Sequence, residues 1–248
     1  MTAAPLVSVL LPVYNAGPYL AAALGSILRQ DYDRLEVIAI DDGSTDNSLE
    51  ILERYRRADN RVSVISRENR GLVATLNEGL RLAQGELVAR MDADDVAYPR
   101  RLSRQVALFE RRPELGFCGA GVDTLLHGRI AKGRLDPAFR SGRLDILSIF
   151  FTIFMHPTVV YNRKVIGTDD LYYDPEYRHA EDFDLFRRLA RRFPATISPE
   201  NLLVYRIHAG SVTMRHAKEM RRTHLRIVAE NLEREGLAEA TADLRDIG

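Results

Sequence analysis

Apolar runs long enough to be buried strands alternate with helix-length segments along the N-terminal part of the chain, and this alternation limits the fold more than any other feature. The runs are Val7–Val13 (VSVLLPV), Leu35–Ile40 (LEVIAI), Val62–Ile65 (VSVI) and Glu86–Met91 (ELVARM). They are continuous rather than alternating, as expected of strands covered on both faces. Between them, Ala21–Arg29, Ser48–Arg57 and Leu72–Ala83 have helical composition, with Asp46 or Asn47 placed to cap the second. Strands interleaved with helices of this length predict an α/β fold on a mostly parallel sheet with right-handed crossovers.

The order loosens after Pro99. Leu102–Arg111 and Asp182–Arg192 read as helices, Gly116–Val122 and Leu202–Ile207 as strands, and residues 123–160 give mixed signals. Arg215–Arg234 reads as a closing helix, with Met220, Leu225, Val228 and Leu232 near helical spacing. With 248 residues and no repeat or linker, one domain with a helical C-terminal extension is the simplest organisation. Cys118 is the only cysteine, which excludes an intramolecular disulfide and a cysteine-based zinc site. Lys plus Arg and Asp plus Glu balance at 35 each, so no net charge draws the chain to nucleic acid. Leu6–Val13 lacks a basic leader, and Ile146–Met155 is shorter than the ~18 residues of a membrane span. A cytoplasmic protein is expected, or one lying at the inner face of the plasma membrane without crossing it.

Candidate chemistry gathers at strand ends. The fourth run empties into Asp92, Asp94 and Asp95 (MDADD). Like charges packed this closely repel, and desolvating them is costly, so a cation is expected among them. Hard oxygen ligands without cysteine suit Mg²⁺ or Mn²⁺, which commonly hold phosphate. The second run ends in IDDGSTDN, where Asp42 can accept from a nucleobase or ribose; a capped turn is the competing explanation. The first ends in PVYN, where Tyr14 can stack on a base and Asn15 can bond it, or the segment simply turns.

Taken in order, VSVLLPVYN, LEVIAIDDGSTDNS, ENRGLVATLNEGLRLAQGELVARMDADDVAYPRRL, HPTVVYNRKVI, HAEDFDLFRRLA and LLVYRIHAGSVT resemble glycosyltransferase family 2, the inverting nucleotide-sugar transferases of GT-A fold. The resemblance covers Val7 to Thr213; the stretch from Met214 matches nothing in it. It implies a Rossmann-like, mostly parallel central sheet flanked by helices, with residues 1–98 a nucleotide-binding half, 99–213 an acceptor-binding half and 214–248 a helical extension. By position, it implies a nucleotide site of Pro12, Val13, Tyr14, Asp42, Asn69, Gly71, Asp92 and Ala93. Metal ligands would be Asp94, Asp92 and His208. Asp182 would be the catalytic base with Glu181 beside it, and Arg206 and His156 would face phosphate or acceptor. One position departs: many members carry Arg where this chain has Leu76.

The implied reaction moves a sugar from a UDP- or dTDP-sugar to a hydroxyl of a glycan or lipid-linked acceptor, in polysaccharide or surface-glycan assembly, with Mn²⁺ or Mg²⁺. Such chemistry needs charge compensation on the leaving diphosphate and one carboxylate base. Asp182 opens a helix, whose dipole lowers a carboxyl pKa, so burial or Glu181 must offset it. Plain helix N-terminal charge is the alternative for both acids, and a simple loop for His156. A non-catalytic nucleotide-sugar-binding protein needs no Asp182. A sugar-1-phosphate nucleotidyltransferase needs a Gly-rich basic loop after the first strand, and a dehydrogenase needs GxGxxG there. A calcium loop at Asp42, Ser44, Asp46 and Glu53 fails at Asn47, where glycine is required. Arg215, Lys218, Arg221, Arg222 and Arg226 make the last helix basic, which suits peripheral membrane contact, pairing into a homodimer, or a solvated face diluted by Glu219, Glu230, Glu233 and Glu235.

Overall fold

The computed structural model describes residues 4–135, 139, 143–208, 210, 216–237 and 239. The four N-terminal runs form strands β1 (Val7–Val13), β2 (Leu35–Asp42), β3 (Val62–Arg67) and β4 (Leu87–Arg90). Helices α1 (Gly17–Leu28), α2 (Ser48–Ala58) and α3 (Leu72–Leu82) alternate with them. The chain continues through β5 (Val96–Ala97), α4 (Arg101–Arg111), β6 (Phe117–Leu126), β7 (Arg129–Ala131), β8 (Val160–Asn162), α5 (Glu181–Ala190), β9 (Ala195–Ile207) and α6 (Ala217–Arg234). The sheet order is β3-β2-β1-β4-β8-β6-β9-β5, with β7 paired to β6. The long ladders, β1–β2, β2–β3, β1–β4 and β6–β9, are parallel, whereas the antiparallel ladders of β8, β5 and β7 are short.

The two-sided burial is visible residue by residue. Val7, Val9, Leu11 and Val13 of β1 face a core with α1, α2 and α4, while Leu10 faces the opposite core with Leu76 and Leu80 of α3. In β2, Val37 and Ala39 take the first side and Ile38 and Ile40 the second. Each of these Val, Leu and Ile side chains contributes about 1.5–3 kcal/mol by leaving water. Leu76 therefore has a packing role, 1% exposed against Leu10 and Ile40.

Turn chemistry draws two strand ends together. Asp46 caps α2, its Oδ1 accepting from Ser48 N at 2.9 Å, while its Oδ2 accepts from Gly17 N at the start of α1 at 2.9 Å. Asn47 makes no capping bond with its side chain. Asn15, at φ 49°, accepts from Thr45 N at 2.8 Å, and its own N donates to Ser44 Oγ. The side-chain oxygen of Asn15 is thus committed to the neighbouring loop.

Past β4 the sheet gains its second half. β9 is longer than its sequence pattern, because Ser-Pro-Glu-Asn at 198–201 sits in a bulge opposite Ala120, Gly121 and Val122. A Cβ on Gly121 would meet Asn201 Oδ1 at 2.3 Å, so a larger residue there would have to displace the Asn201 side chain. The closing helix docks on α5: Arg187 Nη1 donates to Asn231 Oδ1 at 2.9 Å and its Nη2 to Glu230 Oε2 at 2.8 Å. Ile227, Val228 and Leu232 cover Phe183. The expected boundary at residues 213–214, and Arg215, lie outside the described residues.

Candidate active site

Strand register assembles the acidic site. β1, β2 and β4 run parallel, so Val13, Asp42 and Arg90 end at one edge, and the MDADD turn leaves from there. Antiparallel pairing of Val96 with Val204 sets Asp94, two residues earlier, beside Arg206, two residues later. The contacts agree. Arg206 N donates to Asp95 Oδ1 at 2.8 Å, Arg206 Nε to Asp94 O at 2.7 Å, and His208 Nε2 lies 2.9 Å from Asp94 Oδ2. Tyr19, from the first turn of α1, stacks under this corner, 4.6 Å from the His208 ring and 4.9 Å from the Arg206 guanidinium.

Asp92, Asp94 and Asp95 each offer an oxygen within 4.8 Å of the others. Burial, with Asp92 next, raises the Asp94 carboxyl, against the opposing pull of His208. Burial, then Asp92 and Asp94, push Asp95 to about 8. Asp95 Oδ2 is buried with no hydrogen-bond partner. An acidic group this poorly compensated, with an orphaned oxygen and an imidazole on its rim, fits a hard divalent cation. The oxygens of Asp92, Asp94 and Asp95 are close enough together to hold one, and His208 stands against Asp94.

Arg90 joins this group to a second one. It is the charged residue inside the fourth apolar run, 2% exposed, and its Nη2 lies 2.5 Å from Asp92 Oδ1. The same guanidinium acts electrostatically on Glu181 and Asp182 at the start of α5, and on Tyr173. Burial raises Asp182 to about 6, against the N–H of Phe183 donating to its Oδ1 at 2.8 Å and the Arg90 charge. Burial, then Asp182, raise Glu181 to about 7. Two acids at a helix start would ordinarily be held low by the dipole; here burial outweighs it, and Asp92 acts on both.

His156 stands in the field of the same guanidinium. Its Nε2 is 2.8 Å from Tyr173 Oη, which is 3.1 Å from Tyr161 Oη. Burial, then Arg90, depress the imidazole well below its ordinary value, so it stands neutral. Asn77 of α3 fixes Tyr173, bonding both its N and its O. His179, at φ 65°, stacks on His216 with ring centroids 4.2 Å apart and reaches Glu219 of α6, which pins the approach to Glu181.

The nucleotide-side residues divide. Asp42 is buried and accepts from Arg70 N at 2.8 Å, from Gly71 N at 2.9 Å and from Arg67, while Asn69 Nδ2 donates to the Asp42 carbonyl. Asn69 and Gly71 are therefore brought to Asp42, with Gly71 at φ 85°. Tyr14 is 54% exposed and open to stacking, next to Pro12. Val13 and Ala93 turn their side chains into the core, leaving their backbone toward the edge. Sequence reasoning missed Tyr19, Asn77, Tyr161 and Tyr173, which no local pattern marks. Arg90 carried a readable signal, a charge inside a buried strand.

A sheet of this order, with an acidic turn after β4 and a second acidic pair opening a facing helix, is the arrangement of a glycosyltransferase of GT-A fold. The family model described as glycosyl transferase family 2 matches residues 8–191, and the chain belongs to that family. An uncharacterized glycosyltransferase of Haemophilus influenzae is 30% identical over 239 residues, covering 92% of this chain and 73% of that protein. The putative glycosyltransferase EpsH of Bacillus subtilis is 29% identical, covering 92% of this chain and 68% of that one. Among solved structures, S. aureus TarS 1-349 in complex with UDP-GlcNAc aligns with a TM-score of 0.72 at 24% identity, covering 92% of this chain and 66% of that one. The Pyrobaculum calidifontis mannosyltransferase PcManGT, in complex with GDP-Man and Mn²⁺, aligns with a TM-score of 0.70 at 22% identity, covering 98% and 70%. At these identities the structural likeness is one of fold.

Proposed function

We propose that this protein transfers a hexose from a UDP- or dTDP-sugar to an acceptor hydroxyl with inversion, using Asp182 as general base. The observation that carries the proposal is the placement of two acidic groups, Asp92–Asp94–Asp95 and Glu181–Asp182, about the buried guanidinium of Arg90. One group suits the diphosphate end of a donor and the other suits an acceptor hydroxyl.

Asp182, raised to about 6, is ionised at neutral pH yet basic enough to take a proton. The acceptor oxygen, losing its proton to Asp182, forms a bond to the anomeric carbon as that carbon's bond to the diphosphate oxygen breaks. The nucleoside diphosphate leaves with the electron pair, and a single in-line displacement inverts the centre. Burial, with Asp92 adding to it, keeps this base from being too acidic, and the same burial, with Asp182, raises its neighbour Glu181. Asp92, Asp94 and His208 would hold Mn²⁺ or Mg²⁺, which supplies charge compensation for the leaving diphosphate when bound. Arg206, anchored on the Asp94 carbonyl and on Tyr19, is placed beside the same phosphates. Tyr14, Asp42, Asn69 and Gly71 form the nucleobase side, with Pro12 and the backbone of Val13 and Ala93. His156 lies on the acceptor side. Glycan assembly at the cytoplasmic side of a membrane is the setting we propose, on a glycan or lipid-linked acceptor; no helix among the described residues is long and apolar enough to cross one.

The test is nucleotide release from a panel of UDP-, dTDP- and GDP-sugars with Mn²⁺ or Mg²⁺. Slow donor hydrolysis by the unaltered chain is expected for a uridine or thymidine donor, with loss in Asp94→Ala and in Asp182→Asn. Full turnover in Asp182→Asn, with an acceptor present, would overturn the assignment of the base.

A further inference from the structure

One surface is unexplained by donor chemistry. The segment before His156 exposes Ile146, Phe150, Phe151 and Met155, at 47, 38, 55 and 38%. Its other side is fixed, because Ile149 packs on the α6 cluster, His224 Nε2 lies 3.1 Å from Phe150 O, and Asn231 Nδ2 donates to Ile149 O at 2.8 Å. The aromatic pair is thus held outward by α6 rather than being a frayed turn. Phe150 and Phe151 have ring centroids 6.2 Å apart.

The charge on α6 is asymmetric along its length. Residues 217–226 carry Lys218, Arg221, Arg222 and Arg226 against Glu219 alone, and Glu219 is within 3.1 Å of both His179 and His216. Arg221 stands three residues before His224, so it shares the side of the helix that meets Phe150. Lys218 stands one further turn back along the same row, and Lys218, Arg221 and Arg222 are exposed. Beyond residue 226, Glu230 pairs with Arg187, and Glu235, just past the helix, pairs with Arg191.

We infer that this apolar-aromatic patch, with the basic row beside it, is a docking surface for an anionic lipid bilayer. Charge complementarity selects that occupant: phosphate headgroups meet Lys218, Arg221 and Arg222 while Phe150 and Phe151 enter the acyl boundary. Met155 directly precedes His156, so a bilayer on this face lies next to the acceptor side of the pocket rather than the donor side. The inference deepens the proposed function by placing the acceptor entrance at a membrane, and it rests on that reading only for the word acceptor.

The test uses the full chain and sucrose-loaded vesicles of phosphatidylcholine, with and without phosphatidylglycerol, in the absence of donor and acceptor. Binding is expected only with phosphatidylglycerol and should weaken as salt rises. Arg221→Glu should lower it by about fivefold or more, and Phe150→Ser with Phe151→Ser by about tenfold. Both variants should keep the unaltered melting temperature and donor hydrolysis rate, since neither site touches the proposed catalytic groups. The inference is overturned if the chain ignores phosphatidylglycerol, or if binding survives both sets of substitutions. It is also overturned if sedimentation shows a dimer that the Phe150 and Phe151 changes dissociate while vesicle binding stays intact. Vesicle binding is read without transfer, so failure here leaves the assignment of Asp182 and Asp94 standing, and failure there leaves this one standing.

Discussion

Arg90 Nη2 and Asp92 Oδ1 lie 2.5 Å apart at the end of β4, and that pairing keeps a guanidinium inside the sheet edge. Replacing one member of a fully buried pair costs about 3–5 kcal/mol. Asp92 is 31% exposed, so water compensates part of the loss. We expect Arg90→Met to lower stability by about 1–3 kcal/mol in urea unfolding. We also expect it to reduce donor hydrolysis beyond what stability explains, because Glu181 and Asp182 lose a buried cation that acts on both. Unchanged hydrolysis in the folded variant would reduce Arg90 to a packing residue.

Asp182 works as a base only when ionised, so the rate should rise with pH through about 6 and level off above it. Measured kcat/KM against pH should show that ascending limb in the unaltered chain. Asp182→Asn should lose roughly 100- to 10 000-fold in kcat with little change in donor binding. The same raised values act on stability in the opposite sense. Glu181, at about 7, favours the folded state in its neutral form, so its contribution is full at acid pH and is lost as pH rises through about 7. Glu181→Gln should therefore be more stable than the unaltered chain at pH 8, and this difference should shrink as pH falls through about 7 and vanish below the ordinary value of 4.5, by thermal denaturation.

The first half of the fold was legible because β1, β2 and β4 are covered on both faces, which writes burial into every position of the run. The second half was not. β8 is three residues long, β7 is fully exposed, and the Ser-Pro-Glu-Asn bulge hides the first half of β9 behind a turn-like composition. Asp42, Asp92, Asp94 and Asp95 were legible because charge at the end of an apolar strand is locally anomalous, whereas Glu181 and Asp182 open a helix, where acids are ordinary, and were marked by the family resemblance alone. Tyr19, Asn77 and Tyr173 were not, because their partners lie far along the chain and their own surroundings look ordinary: Tyr19 meets His208, and Asn77 meets Tyr173. Asp46 reads as a cap and Asn15 as either a base contact or a turn residue, whereas both side chains tie the β1 and β2 loops to each other.

Metal binding should be linked to both stability and pH. With Mn²⁺ at a hundred times its dissociation constant, the folded state gains about 2.7 kcal/mol. For a chain of this size that raises the melting temperature by roughly 5–10 °C. EDTA should reverse the shift, and Asp94→Ala should remove most of it. Affinity should climb with pH toward 8, since the cation favours an ionised cluster and Asp95, held at about 8 without it, must release its proton to solvent as the metal binds. A shift of equal size in Asp94→Ala would place the cation elsewhere.

Away from the cleft, Asp123 shows the contrary electrostatics. It is buried, which raises its carboxyl, but Lys132, Tyr98, the N–H of Gly133 and Asn201 all donate to it and hold it at about 2. A folded-state value below the ordinary 3.8 means its contribution is present above that pH and lost as pH falls toward 2. With allowance for solvent near Lys132, that contribution is about 1–2 kcal/mol. Asp123→Asn should cost a similar amount at pH 7 and much less at pH 3, leaving donor hydrolysis unaffected. Urea midpoints at the two pH values decide it.

Asp42 raises the sharpest question about the donor, because its carboxylate is already engaged by Arg67, Arg70 N and Gly71 N. A carboxylate offers about four lone-pair sites, so one remains for a nucleobase N–H. Asp42→Asn keeps the shape but sets an NH₂ against donors that need an acceptor, which costs about 1–3 kcal/mol for a buried unsatisfied group. If Asp42 only shapes the 69–71 loop, stability falls while UDP affinity, measured by calorimetry well below the melting temperature, stays within twofold or so. If Asp42 also reads the base, UDP affinity falls by roughly tenfold or more, and the preference for UDP over GDP shrinks with it. Arg67→Lys separates the two effects further. It keeps one cation beside Asp42 but loses the fork that also holds Glu78 and Thr75, so it should loosen the loop and weaken UDP less than Asp42→Asn does. We expect the second outcome, with the loss in affinity exceeding what Arg67→Lys produces.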